Sequence, residues 1–119
     1  MRIGMLLLRL LLCVGWVGLF IVSFRAVSAM GLDAGASVFF ADLSHPWRAQ
    51  YDTDLGLHLL VMGAWMIGRT RSLLLGLLSL FLAVNLGGLF TLAYILVVSF
   101  VEKGDLPRIL LGWRAPRPA

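Results

Sequence analysis

Three long apolar runs separated by short polar stretches set the pattern of this chain. The longest goes from Leu73 to Val101 without a charged residue. As one helix, its 29 residues extend about 43 Å. The hydrocarbon core of a bilayer is only about 30 Å thick. A soluble domain of 119 residues has no interior for such a run. The pattern therefore predicts an all-α integral membrane protein, a bundle of three transmembrane helices forming one membrane domain over 1–119.

The predicted spans cover about 6–28, 51–69 and 73–100. The first holds Arg9 near one end and Arg25 near the other, both placed to snorkel toward headgroups. Its basic start and the small residues Val27-Ser28-Ala29 also suit a signal peptide. Arg25 beside that cleavage site and the length of the apolar region favour an uncleaved helix, and Leu12 is too bulky before Cys13 for lipoprotein processing. The second span has an apolar centre, Leu55 to Gly68, interrupted by His58. Its short linker to the third, Arg69-Thr70-Arg71-Ser72, makes the two an antiparallel hairpin. The third run could divide at Asn85-Leu86-Gly87-Gly88, but each half is too short to cross a bilayer alone. One tilted helix is expected instead, with the glycine pair as a place where it can kink.

Between the first two spans lies a loop, 30–50. Val38, Phe39, Phe40 and Leu43 in it suit a short interfacial helix. Ser44 followed by Pro46 reads as a helix start. Trp47 and Tyr51 follow one turn apart and, with Trp113 in the tail, are expected as interface anchors. The polar tail, 102–119, carries an amphipathic stretch from Leu106 to Trp113 with Pro107 in its first turn, and 114–119 reads as disordered.

Composition sharpens this picture. The hydrophobic fraction is 61% and the charged fraction 13%, against about 25% charged in soluble domains. The net charge of +4 comes from arginines beside apolar runs, which points to anionic headgroups and away from nucleic acid. The single cysteine, Cys13, excludes an internal disulfide and a cysteine metal cluster. Three spans put Arg2, Arg9, Arg69 and Arg71 on one side, with the loop and the tail on the other. That dense, acid-free set favours a cytoplasmic amino end, although the raw count of cations is higher on the loop-and-tail side.

Chemistry is sparse. Asp54 and His58 are four apart and share a helix face, and Arg25 ends the first span on the same side. With Asn85 they form a candidate polar cluster, in which Asp54 is expected to touch Arg25. The plainer alternative has Asp52 or Thr53 capping the helix, Asp54 complementing its dipole, Arg25 reaching headgroups and His58 hydrogen-bonding a neighbouring carbonyl. His45 and His58 do not make a metal or haem site, and no nucleophile–base spacing or phosphate loop is present. No cofactor and no enzymatic activity are expected. Ser79, Ala83, Gly87 and Thr91 recur every four residues, a candidate helix-packing face.

The run Phe39-Phe40-Ala41-Asp42-Leu43, then Pro46, Tyr51, Asp54 and Trp65, the tight basic turn, Gly88 and Tyr94-Ile95-Leu96 resembles a bacterial family of small three-helix membrane proteins of unknown function. The resemblance covers most of residues 35–97 and implies a three-span bundle in a bacterial inner membrane. It carries over no ligand or catalytic residue, and neither Arg9 nor the basic tail belongs to its pattern. The expected function is structural, through helix packing, as an accessory subunit of another membrane protein or as a homo-oligomer. The alternative is binding of a lipid, quinone or small solute at the polar cluster.

Overall fold

The computed structural model describes residues 2–116. They form six α-helices and a short 3-10 turn, with no strand among the described residues. The helices are α1 (Arg2–Met30), α2 (Ala34–Asp42), α3 (Pro46–Arg69), α4 (Leu73–Leu86), α5 (Gly88–Val101) and α6 (Leu106–Leu111), followed by the turn Gly112–Arg114. One helix, α1, is long and apolar enough by itself to cross a membrane.

The starts of α3 and α4 follow local chemistry. Pro46 occupies the first turn of α3, where its missing N–H costs nothing. The cap is His45, whose Nδ1 accepts from the Arg48 N–H at 3.4 Å; Ser44 instead donates its hydroxyl to the Ala41 carbonyl. Asp52, Thr53 and Asp54 therefore lie within the helix, and none of them caps it. Ser72 caps α4 by accepting from the Leu75 N–H at 3.3 Å.

The expected third span is not one helix. The run breaks at Gly87, whose φ of 57° and ψ of −134° suit glycine and strain any residue with a side chain. The two products, α4 and α5, are apolar helices of 14 residues each. At about 1.5 Å per residue, each extends only about 21 Å.

Contacts fix the direction of each helix. Gly63 faces Leu80 and Gly76 faces Ile67, so α3 and α4 are antiparallel. Gly88 meets Leu19, Gly15 meets Leu92, and Arg9 bonds Ser99, so α5 is antiparallel to α1. Trp65 and Tyr94 stack edge to face, which brings α5 back along the carboxyl-terminal half of α3. The α5 helix thus retraces α4. The start of α1, the turn between α3 and α4, and everything after α5 gather at one end of an elongated molecule, 55 × 29 × 23 Å. The break at Gly87 sits part-way up, and the upper part of α1, α2 and the start of α3 form the other end.

Little of the apolar surface is internal. Buried hydrophobic residues are Leu12, Met66, Ala83, Val98 and Ile109, while Leu73, Leu74, Leu75, Leu77 and Leu78 are all exposed. The accessible surface is 8871 Å². A soluble protein of 13.1 kDa shows about 6,400 Å².

Candidate functional site

Asp54 and His58 meet within one turn of α3. The His58 Nδ1 lies 2.7 Å from the Asp54 carbonyl and 3.0 Å from its carboxylate. Both side chains are more than half exposed, at 55% and 76%. Arg25 makes no ion pair or side-chain hydrogen bond among the described residues, so the expected contact with Asp54 is not formed. Asn85 turns its amide back on its own helix, donating to the Phe81 carbonyl at 2.8 Å. The four residues therefore do not assemble. Spacing placed Asp54 and His58 on one face, and that face turns outward.

A different arrangement exists at the break. A cleft of about 850 Å³ lies above Gly87, between α1, α2 and the first half of α3. Leu19, Phe39 and Leu60 line its apolar walls, and Asp52, Thr53 and Asn85 supply the polar atoms. Of the candidate cluster only Asn85 reaches it. The Asp52 Oδ2 is buried and has no hydrogen-bond partner. This oxygen has no accessible surface and is sealed off from the cleft, and a buried polar atom without a partner costs about 1–3 kcal/mol. Such a pocket suits an amphipathic molecule, with an apolar body against leucine and phenylalanine and a polar group toward Thr53 and Asn85.

The packing stripe is also redistributed. The break at Gly87 divides it, so its residues no longer share one helix face. Ala83 and Thr91 are buried inside the chain, at 0% and 6% exposure, and the Ser79 hydroxyl donates to its own Leu75 carbonyl. Close approach is made instead by glycines outside the stripe. A Cβ on Gly76 would lie 3.0 Å from the Ile67 backbone, and one on Gly63 would collide with the Leu80 side chain.

The dense polar chemistry is at the opposite end. Arg69, its side chain 10% exposed, donates to the Ile109 carbonyl at 2.9 Å and to the Tyr94 hydroxyl at 3.0 Å. It also lies 3.9 Å from Glu102, which Arg108 holds at 2.9 Å. Arg9 bonds the Ser99 hydroxyl and carbonyl at 3.0 and 2.7 Å and stacks on Phe100. Trp65 donates to the Leu110 carbonyl and Arg114 to the Gly68 carbonyl. The tail is thus docked through Arg114 by these bonds and by buried Ile109; of the stretch expected to be disordered, 117–119 lies outside the described residues. Sequence reasoning missed this network. The available signal was Arg9 itself, a cation inside an apolar helix that requires a partner.

Of the three expected anchors, Trp47 and Tyr51 pack side by side, exposed, near the start of α3, and exposed Trp113 lies at the opposite end. No family model, curated protein or solved structure matches the chain.

Proposed function

We propose that this is a small multi-pass integral membrane protein that acts structurally, through helix packing, as an accessory subunit or homo-oligomer. The carrying observation is the apolar surface left outside. Of all the residues in α1, only Leu12 is buried, and most leucines of α4, from Leu73 to Leu78 and Leu86, are exposed. Lipid tails solvate such a surface, whereas water does not. The membrane is read as a bacterial inner membrane, as the likeness to small three-helix bacterial membrane proteins suggests. Exposed rings on both ends, Trp47 and Tyr51 on one and Trp113 on the other, fit two headgroup layers.

Carbonate washing of membranes, then intact-complex mass spectrometry in mild detergent, tests this. The chain stays with the membrane and emerges with a stoichiometric partner or further copies of itself. Release by carbonate overturns the membrane reading, and a lone monomer overturns the packing role.

The cleft favours a second reading, the binding of an amphipathic small molecule such as a lipid or quinone. Its support is an apolar cavity that carries Thr53 and Asn85 on its wall. A monomer that carries a bound small molecule, lost in Asn85→Leu, selects this reading.

A further inference from the structure

We infer that α4 and α5 form a re-entrant hairpin that enters and leaves the bilayer through one face, and that this face carries the basic end of the chain against the anionic, cytoplasmic leaflet. The inference rests on the membrane reading above and replaces a third span with a pair of half-length helices.

Length and direction come first. Each helix extends about 21 Å, short of the roughly 30 Å needed to cross. Both have their outer ends at the same end of the molecule. Ser72 begins α4 beside the end of α3, and Val101 leads into Glu102 within reach of Arg69.

Irregular backbone at membrane depth must find its hydrogen bonds within the protein or face a water-filled cavity, and the tip finds them within the chain. The Gly87 N–H donates to the Ala83 carbonyl, and its carbonyl accepts from Phe90 and Thr91. The residues around the break, Val84 to Leu89, line the cleft together with Asp52 and Thr53.

Charge supplies the orientation. With three spans, the tail lies on the side of the 30–50 loop, and cations divide between the two faces. With a re-entrant hairpin, Arg2, Arg9, Arg69, Arg71, Lys103, Arg108 and Arg114 share one end with only Glu102 and Asp105, a net of +5. The opposite end keeps Arg25 and Arg48 with Asp33, Asp42, Asp52 and Asp54, a net of −2. Arg2 and Lys103, from α1 and the tail, line one shallow pocket together. Short cytoplasmic segments carry the excess of lysine and arginine in membrane proteins, and anionic headgroups attract each such cation by about 1 kcal/mol.

The test uses the full chain with Cys13→Ala, then single cysteines S44C, S72C and K103C. A membrane-impermeant maleimide is applied to right-side-out and to inverted vesicles. Labelling of S72C and K103C only in inverted vesicles, with S44C labelled only in right-side-out vesicles, is the expected result. Labelling of S72C and K103C from opposite faces restores the third span and overturns the hairpin. Labelling of both from outside overturns the orientation. A carboxyl-terminal fluorescent protein that matures only in the cytoplasm gives an independent readout, bright for the hairpin and dark for three spans with the amino end inside. Carbonate washing of the same vesicles keeps the two failures apart, because a chain released by the wash was never in the membrane.

Discussion

The two ends of the molecule treat their polar residues in opposite ways. At the basic end, four polar side chains are tied to other elements: Arg9 to α5, Arg69 to α5 and α6, Trp65 to α6 and Arg114 to α3. At the cleft end, Asn85 and His58 are satisfied within their own helix, and Asp52 keeps a buried oxygen without a partner. Ties between elements are few there: Arg48 to Asp42 at 3.7 Å and Trp16 to the Leu89 carbonyl at 2.8 Å. One end is closed by interactions between distant segments, and the other stays available. The difference follows from chain return. Three segments come back to the basic end, whereas the cleft end receives only the connection through α2.

Removing Arg69 should break that contrast most severely. Arg69→Ala removes two charge-assisted hydrogen bonds, to the Ile109 carbonyl and the Tyr94 hydroxyl, while Glu102 keeps Arg108, so a loss of about 3 kcal/mol is expected in denaturant unfolding of the detergent-solubilised protein. A loss below 1 kcal/mol would mean that the network contributes little. Gly112 comes next. Its φ of 58° suits glycine, and a Cβ there would collide with the Arg69 carbonyl. Gly112→Val should cost about 2 kcal/mol and free the tail, read as faster proteolysis after residue 105. Gly76→Leu presses on the Ile67 backbone and should cost about 1–3 kcal/mol by separating α3 from α4, without freeing the tail. Gly87→Ala should cost about 1 kcal/mol, because the added Cβ strains the break, and should raise the helical circular dichroism signal if the run straightens.

The smallest effects belong to the outward polar face. Asp54→Asn, His58→Ala and charge reversal at Arg25 should each change stability by less than about 0.5 kcal/mol. The paired reversal of 25 and 54 should show no rescue beyond the sum of the singles, since the two side chains are not paired. A coupling above 1 kcal/mol would show that Arg25 and Asp54 do meet in the membrane.

Much of this architecture is legible in the residues. The apolar run before Met30, Pro46 as a helix start and the short basic turn after Arg69 each express a local preference that nothing overrides. The break at Gly87 is less legible, because an apolar run containing two glycines reads the same whether straight or folded. What decides it is tertiary: Gly88 fits against Leu19, and Tyr94 finds Trp65 and Arg69. The candidate site suffered from a related blindness. A four-residue spacing tells which side chains share a face, and does not tell whether the face turns inward. Asp52, two residues before Asp54, is the acid that lines the cleft.

The docked tail bears on how the chain is made. Leu106 to Arg114 are synthesised after every group they satisfy, including the Trp65 indole, the Arg69 guanidinium and the Gly68 carbonyl. While the ribosome is still adding the tail, the foot of α3 therefore has donors and an acceptor with no mates. Assembly of that end is a late event in biogenesis, and a chain truncated at Gly104 lacks the partners of the Trp65 indole, the Arg69 Nε and the Gly68 carbonyl.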